Sequence, residues 1–280
     1  MTIITMAIRD RNGKIKEGKF SHDMDRQKIT ASGEDFVQLA LQDYHYEDSD
    51  EIRVTLDQAG IFLMVKLDET LDSTMIYVKG REWRYVVKRT QNAMEAAPKF
   101  RFAGNCHYLQ VRIATSAEIH AYRNIALNPH DQKNDSNAYP HARANVETRD
   151  DATFFACNAI DGVFANRSHG NYPYGSWGIN RQSDAALTID FGKEVKVDRV
   201  RLTLRADFPH DNYWEKVTAV FSDGSSETFA TKKTDIGQSF DFAQRETTCI
   251  TLCQLIQSDD PSPFPALTQV EVFGYYEGEC

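Results

Sequence analysis

Residues 216–230 read KVTAVFSDGSSETFA, and this stretch decides the class of fold. Apolar and polar side chains alternate on both sides of the turn Ser222–Ser225, and Gly224 can adopt the positive φ that such a turn requires. A period of two residues is typical of a strand that buries one face in a core. The stretch therefore predicts an antiparallel hairpin at the surface of a β-sheet.

Segments with the same alternation occur along the whole chain, and turn residues separate them. They lie at 35–41, 51–56, 60–67, 74–78, 82–87 and 107–113 in the first half, and at 186–191, 197–204, 248–256 and 267–276 in the second. Short strands at this spacing favour antiparallel sandwiches. We therefore predict an all-β protein made of two jelly-roll-like β-sandwich domains.

One helical pattern interrupts the strands, at 115–127. Thr115 or Ser116 can cap its start, and Glu118 lies in its first turn. The side chains that would share its apolar face are Ile119, Tyr122, Ile125 and Ala126. We expect a short helix here, at the end of the first domain.

A polar segment at 128–145 divides the chain. It is nearly free of large aliphatic residues, yet it lacks the Gly/Ser composition of a flexible tether. A chain of 280 residues is long enough for two domains of ordinary size. We therefore predict an N-terminal domain at 1–127, an ordered linker at 128–145 and a C-terminal domain at 146–280.

Charge and composition restrict the classes of partner. The net charge of −9 is concentrated in the second half, which would repel a phosphate backbone, so nucleic acid is not expected. No apolar stretch reaches the ~20 residues of a membrane span, and no signal-peptide pattern precedes Arg9. We expect no membrane attachment and a cytoplasmic location. Five cysteines without a disulfide framework are expected to be reduced thiols: Cys106, Cys157, Cys249, Cys253 and Cys280.

Four short motifs in the second half resemble those of a known family. They are 158-NAIDG-162, 186-ALTIDFG-192, 218-TAVFSDG-224 and 270-VEVFG-274. In their order and spacing they resemble the discoidin-like, galactose-binding-like modules, which include coagulation factor 5/8 C-type domains and bacterial carbohydrate-binding modules. The whole chain also resembles bacterial two-domain proteins described as carbohydrate-binding. The resemblance implies a β-sandwich whose end loops bind a ligand, but the family's ligands are diverse.

The loops at the family's binding end correspond here to 162–182, 205–214 and 258–266. Sugar recognition needs flat apolar faces for the C–H side of the ring and planar polar groups for the hydroxyls, and these loops contain both. The candidate ligand-binding residues are His169, Tyr174, Asn180, Arg181, Arg205, His210, Asp211 and Trp214. The alternatives are that the tryptophans fill the core and that His210 and Asp211 pair only to stiffen their loop.

The resemblance also implies a metal. Modules of this type often hold a structural Ca²⁺ near the NAIDG turn, which would make Asp161 a ligand. The family often supplies a glutamate before the closing strand, and that position is Gln269 here. The alternative is that Asp161 only stabilises its turn, with Gly162 at positive φ. A second metal hypothesis is that three loop histidines meet, namely His141, His169 and His210.

We expect carbohydrate binding without catalysis and no cofactor other than calcium. The sequence has no GxSxG, HExxH, P-loop or GxGxxG motif. Two alternatives stay open. One is a protein-interaction or dimerisation module, which includes a homodimer. The other is an enzyme acting on a sugar or sugar derivative, with His210 and Asp211 as an acid/base pair.

Overall fold

Strands account for most of the regular structure in this computed structural model, which describes residues 1–277. Strands β1 to β10 are Ile3–Arg9, Glu17–Gly18, Gln27–Lys28, Thr30–Glu34, Phe36–Leu41, Glu51–Leu56, Ile61–Lys66, Thr74–Val78, Glu82–Val86 and His107–Ile113. Strands β11 to β19 are Arg123–Asn124, Ala138–Tyr139, His141–Ala144, Trp177–Gly178, Leu187–Leu204, Trp214–Phe221, Ser226–Ala230, Gln238–Gln257 and Ala266–Tyr276. The short helices are α1 (Gln91–Glu95), α2 (Ser116–His120) and three 3₁₀ turns at Thr148–Asp150, Ala152–Phe154 and Ala156–Ile160.

Two antiparallel sheets face each other in the first half. Their strand orders are β4-β1-β6-β9 and β12-β8-β7-β10-β5. Alternate residues of both sheets point inward, because successive side chains of a strand lie on opposite faces. The inward residues form one core, which includes Ile4, Met6, Ile52 and Val54 from the first sheet and Leu63, Val65, Ile76 and Leu109 from the second. The predicted all-β class is confirmed.

The second half is built on a sheet of order β11-β19-β15-β18-β16-β17, with β13 on β15 and β14 on β19. The predicted hairpin is present as β16 and β17, and Gly224 has a φ of 83°. The segments 186–191 and 197–204, predicted as two strands, are one 18-residue strand, β15.

Strand β15 changes direction at β-bulges. Its register on β18 shifts between Asp190 and Val195, and again between Val197 and Arg199. A bulge bends a strand and moves the next side chains to the other face. The buried positions therefore change from odd numbers at the start (Leu187, Ile189, Phe191) to even numbers at the end (Val200, Leu202, Leu204).

Helix α2 begins as predicted but ends early. The Thr115 side chain accepts from the Glu118 N–H, and the Glu118 side chain accepts from the Thr115 N–H, which is a capping box. The helix stops at His120, so the predicted helical face through Tyr122, Ile125 and Ala126 is wrong. Residues beyond Ala121 leave the helix because β11 pairs with β19.

Residues 128–145 are ordered and join the two halves. Strand β12 pairs with β8 of the first half, and β13 pairs with β15 of the second. The Phe62 ring of the first half lies 4.7 Å from the Tyr276 ring and belongs to the second core. The two halves therefore share a packed junction.

Two further expectations concern the cysteines and the membrane. The described cysteines, Cys106, Cys157, Cys249 and Cys253, are free thiols, and Cys280 lies outside the described residues. Within residues 1–277 no helix has the length and apolar character that a membrane crossing requires.

Candidate functional site

The strand pairing places two of the predicted loops side by side. Leu204 pairs with Leu267 and Trp214 pairs with Gln257. The loop from β15 to β16 (205–213) and the loop from β18 to β19 (258–265) therefore cross the same end of the sandwich. The long loop 162–176 reaches the same end, because it leads into β14, where Trp177 also pairs with Leu267.

The buried side chain of Asn212 fixes these two crossing loops to each other. Its amide nitrogen lies 3.1, 2.9 and 2.9 Å from the carbonyl oxygens of Ser258, Asp260 and Ser262, respectively. The Ser258 hydroxyl donates back to the side-chain amide oxygen of Asn212, Oδ1, at 2.6 Å. Buried polar groups with all partners satisfied give a rigid structure.

Four planar groups stack in a row, which we call the planar stack. Three come from these three loops, and Arg181 comes from the connection between β14 and β15. The His169 and His210 rings are 4.2 Å apart and 4° from parallel. Phe264 lies against the other face of His210, with the ring centres 5.0 Å apart and the rings 9° from parallel. The Arg181 guanidinium lies 4.8 Å from the centre of the Phe264 ring. The order is therefore Arg181, Phe264, His210, His169, with cation–π and ring-stacking contacts along it.

Carboxylates orient the two imidazoles. His169 Nδ1 lies 2.7 Å from Asp207 Oδ2, and His210 Nδ1 lies 3.1 Å from Asp211 Oδ1. A carboxylate oxygen accepts, so the neutral form of each imidazole carries its hydrogen on Nδ1. Within residues 1–277 no hydrogen bond uses the Nε2 atom of either ring or the N–H groups of Arg181. Both histidine side chains are about 40% exposed (40% and 41%), so these nitrogens can contact a ligand.

Arg205 and Asp211 lie beneath the stack as an ion pair. Their side chains are 5% and 0% exposed, and Arg205 Nη2 lies 2.6 Å from Asp211 Oδ1. Arg205 Nη2 also donates to the Phe264 carbonyl oxygen, and the Asp207 N–H donates to Asp211 Oδ2. The prediction that Arg205 and Asp211 contact ligand is corrected, because both are buried. They hold Phe264, Asp207 and His210 in place.

Three other predicted site residues lie apart from the stack. Trp214 is 1% exposed and lies 6.2 Å from Trp177 in the core, so the prediction that it contacts ligand is corrected. Tyr174 is exposed, but no hydrogen bond or ring contact in the described chain joins it to the stack. Asn180 is exposed beside Arg181, and its N–H donates to the Thr148 hydroxyl.

The backbone at Asn180 and Arg181 has an uncommon conformation. Their φ angles are 49° and 62°, in the left-handed region that costs L-residues free energy. Such strain persists where the surroundings fix it, and it is frequent at functional sites. Here the conformation accompanies the placement of the Arg181 guanidinium over Phe264.

Sequence reasoning missed two members of the site. Asp207 orients His169, and Phe264 forms the centre of the stack. Phe264 stands between Pro263 and Pro265, a rigid context that would have marked it as a displayed aromatic residue. Asp207 has no such signal, since its partner is 38 residues away.

The stack includes one potential transition-metal site. His169, Asp207 and His210 each offer a ligand atom, and these atoms lie within 4.8 Å of one another. Two imidazoles and a carboxylate are a ligand set that suits Zn²⁺ and similar ions. The predicted meeting of three histidines is wrong, because His141 is buried elsewhere with its Nδ1 2.8 Å from Asp131.

The residues at the NAIDG turn do not fit calcium. The Gln269 amide nitrogen lies 2.7 Å from Asp161 Oδ1 and 2.6 Å from the Asn158 carbonyl oxygen. Calcium needs six to eight oxygen ligands, whereas here two candidate oxygens already accept from an N–H donor. The Gly162 N–H donates to Gln269 Oε1, and Gly162 has a φ of 85°. Asp161 thus stabilises its turn, and the calcium expectation is corrected.

Desolvation by burial also shifts the pKa of the Asp161 carboxyl group. It raises the pKa of Asp161 to about 7, although the N–H of Val163 and the amide of Gln269 both favour the ionised form. A proton can therefore neutralise this group near neutral pH.

Comparison with known proteins gives no match to a family model and no match to a curated protein. Solved structures are similar to about half of the chain. A chitosan-binding module from a Paenibacillus sp. IK-5 chitosanase/glucanase is 19% identical, with 55% of this chain and 100% of that chain covered and a TM-score of 0.37. A family 32 carbohydrate-binding module from C. perfringens NanJ, in complex with galactose, is 18% identical, with 47% and 91% covered and a TM-score of 0.36.

The lectin-binding domain of lectinolysin, in complex with Lewis b, is 18% identical, with 56% of this chain and 99% of that chain covered and a TM-score of 0.41. These three similar structures are a chitosan-binding module, a family 32 carbohydrate-binding module and a lectin-binding domain.

Proposed function

We propose that the chain binds a carbohydrate, without catalysis, through the planar stack at the end of the second sandwich. One observation carries this proposal: four connections bring an aromatic ring, two imidazoles and a guanidinium into one row whose outer nitrogens have no partner within residues 1–277.

The chemistry of these nitrogens suits hydroxyl groups. With the hydrogen on Nδ1, the Nε2 atoms of His169 and His210 are acceptors, while Arg181 presents a fork of donors. A sugar hydroxyl both donates and accepts, so adjacent hydroxyls can pair with both kinds of group. The C–H edge of Phe264 lies between them and offers an apolar contact.

The stack is also preorganised. The buried Arg205–Asp211 pair and the Asn212 amide fix the loops before any ligand arrives. A site that is already ordered loses less conformational entropy on binding.

The enzyme alternative has less support from the geometry. Asp211 is fully buried, and its oxygens accept from Arg205, the Asp207 N–H and His210 Nδ1. A carboxylate in that position can orient His210 but cannot reach a substrate.

Isothermal titration calorimetry tests the proposal. The probes are galactose, a chitosan oligosaccharide and Lewis b, the ligands of the similar modules. We expect at least one probe to bind, and His169→Ala and Arg181→Gln to weaken that binding by about tenfold or more. His22→Ala, which removes an exposed histidine of the first half, is the matched control.

Two outcomes would contradict the proposal: a folded wild type that binds none of the sugars on a broad glycan array, or binding that survives both substitutions in the stack. The interaction-module alternative predicts a different result. In that case pull-down or light scattering shows a protein complex that His210→Ala leaves intact.

A further inference from the structure

A second polar cleft lies between the two halves of the chain and includes no member of the planar stack. Its volume is about 970 Å³, within the range of sites for small organic ligands. One wall comes from strand β9 and residues 88–102 of the first half. The other walls come from 129–137 and from 150–161.

Reciprocal hydrogen bonds fix the walls of the cleft to each other. The Gln132 side chain donates to the Val86 carbonyl at 2.8 Å and accepts from the Val86 N–H at 2.9 Å. The Asn92 amide donates to Asp151 Oδ1 at 3.0 Å, and its carbonyl oxygen accepts from the Ala152 N–H at 2.9 Å. The cleft is therefore preformed by contacts across the junction rather than left between two loose domains.

Six carboxyl groups and four cationic side chains line the cleft, and some of these charges are paired. Arg84 Nη2 lies 2.5 Å from Glu82 Oε1, and Lys133 Nζ lies 3.1 Å from Glu147 Oε2. Arg101 differs, because within residues 1–277 no carboxylate oxygen lies at ion-pair distance from it. The one hydrogen bond of its side chain within residues 1–277 runs from Nε to the Thr70 hydroxyl at 3.3 Å. The two terminal nitrogens of its guanidinium are thus available in the cleft.

Lys88, at the exposed rim of the cleft, forms no salt bridge in the described part of the chain, and its charge acts on the Asp48 carboxylate. A guanidinium fork matches a carboxylate in a bidentate manner. The Arg101 guanidinium therefore suits one carboxylate group.

Neutral polar groups and an aromatic ring complete the lining. Polar side chains of Asn92, Asn134, Ser136 and Asn158 line the cleft. The amides of Asn92 and Asn158 already make hydrogen bonds to residues 151 and 152, whereas the side chains of Asn134 and Ser136 make none within residues 1–277. Phe155 lies beside them, with the Lys133 ammonium 4.4 Å from its ring centre. Planar amides pair with adjacent hydroxyls, and a ring face contacts the C–H side of a sugar.

A buried histidine whose ring makes no hydrogen bond lies behind this wall. His130 is 1% exposed, and neither of its ring nitrogens has a hydrogen-bond partner within residues 1–277. Its ring is 6.3 Å from that of Tyr85, which lines the cleft. Buried polar atoms left unpaired are costly in free energy.

We propose that this cleft binds a small acidic sugar of one or two rings, with its carboxylate on Arg101 and its hydroxyls on Asn134 and Ser136. This is a site separate from the planar stack. The ligand supplies the carboxylate that the half-buried Arg101 guanidinium lacks at ion-pair distance within residues 1–277.

Calorimetry with digalacturonic acid, and with its dimethyl ester as the uncharged counterpart, tests the proposal. We expect the acid to bind and the ester to bind at least about tenfold more weakly. Arg101→Gln should weaken binding of the acid to the level of the ester, whereas Arg101→Lys should retain part of the affinity because it keeps the charge but not the fork.

Two controls separate this site from the first. Arg11→Gln removes an exposed arginine of the first half, and His169→Ala alters the planar stack. Both should leave binding of the acid unchanged, and circular dichroism checks that each variant is folded. The proposal is overturned if the wild type shows no saturable binding of the acid, if acid and ester bind equally, or if His169→Ala rather than Arg101→Gln reduces the affinity.

Discussion

Gln269 connects the closing strand to the NAIDG turn through one amide. Its nitrogen donates to Asp161 and to the Asn158 carbonyl, and its oxygen accepts from the Gly162 N–H. The side chain is 2% exposed, so water cannot replace these bonds. Each end of the amide thus has a function in the fold.

Replacing this amide with a carboxylate should create a dependence on calcium. Gln269→Glu removes both N–H donors and places a second carboxylate against Asp161, which we expect to destabilise the apo protein by about 2–4 kcal/mol at neutral pH. Calcium at millimolar concentration should restore much of the loss, because oxygens then surround the position. Thermal denaturation with calcium and with a chelator measures this.

The wild type serves as the control for that experiment, and its melting temperature should not differ between calcium and chelator. A wild-type melting temperature that rises clearly with calcium would contradict our account of the turn.

Asp161 should make stability depend on pH. Its pKa is about 7 in the folded state and about 3.9 in an unfolded chain, so the folded state holds the extra proton between these values. The stabilisation is full below about pH 4 and is lost as pH rises to about 7, a fall on the order of 4 kcal/mol in the free energy of unfolding. Urea denaturation across this range measures it.

Asp161→Asn is the matched variant, since it keeps the acceptor for Val163 and Gln269 but cannot titrate. The free energy of unfolding of the wild type minus that of Asp161→Asn should then decrease steadily from about pH 4 to about pH 7. Parallel curves would show that the Asp161 carboxyl is ionised throughout.

The buried Arg205–Asp211 pair should be costly to break from one side. Arg205→Met leaves the Asp211 carboxylate without its cation, and we expect a loss of about 3–5 kcal/mol in the free energy of unfolding. Adding Asp211→Leu should recover part of this loss, because no unpaired charge then remains. The exposed pair Arg26–Asp43 gives the control, and Arg26→Met should change stability little. Equal effects of the two arginine substitutions would be inconsistent with the burial of Arg205.

At the scale of elements, the site depends on two loops that one side chain joins. Asn212→Ala removes the amide that contacts the carbonyl oxygens of Ser258, Asp260 and Ser262. We expect the sandwich to stay folded but the loop that carries Phe264 to loosen. Hydrogen exchange should become faster in 258–264, and the affinity for the sugar that the wild type binds should fall about tenfold. Unchanged exchange in this loop would contradict the role given to Asn212.

The strands and helices show which features of the fold sequence patterns could predict. The hairpin at 216–230 was predictable because alternation and a glycine turn are local signals. Strand β15 was not predictable as one strand, because the bulges at 190–199 interrupt its alternation and are stabilised by β18 and β19. Helix α2 was predicted too long for a similar reason, since pairing of Arg123 and Asn124 with a strand about 150 positions away ends it.

The candidate site also combines residues that local sequence signals identify with an arrangement that only the folded chain determines. His169, Arg181 and His210 were predictable as polar and aromatic loop residues at one end of a sandwich. Their order in the stack was not, because it depends on which loops cross side by side. Burial decided the rest: Arg205, Asp211 and Trp214 have the side chains of ligand contacts, yet the packing places them inside.

At the scale of the whole molecule, the two halves should unfold together. Phe62 contributes to the second core, and residues 128–145 pair with strands of both halves. We expect one unfolding transition, and Phe62→Ala to lower the free energy of unfolding by about 3–5 kcal/mol.

Hydrogen exchange, measured by mass spectrometry at increasing denaturant concentration, reports the unfolding of each half separately. Phe36→Ala, an exposed phenylalanine of the first half, is the control. Separate transitions in the wild type would show that the junction does not couple the halves.

The Gln269 amide has a consequence for the conditions in which the protein can work. When a bound ion stabilises a fold, the free energy of unfolding changes with the logarithm of the free ion concentration. Here the donor is part of the chain, so its local concentration is constant at any dilution and in any medium. The fold at the NAIDG turn can therefore persist where divalent ions are scarce or sequestered.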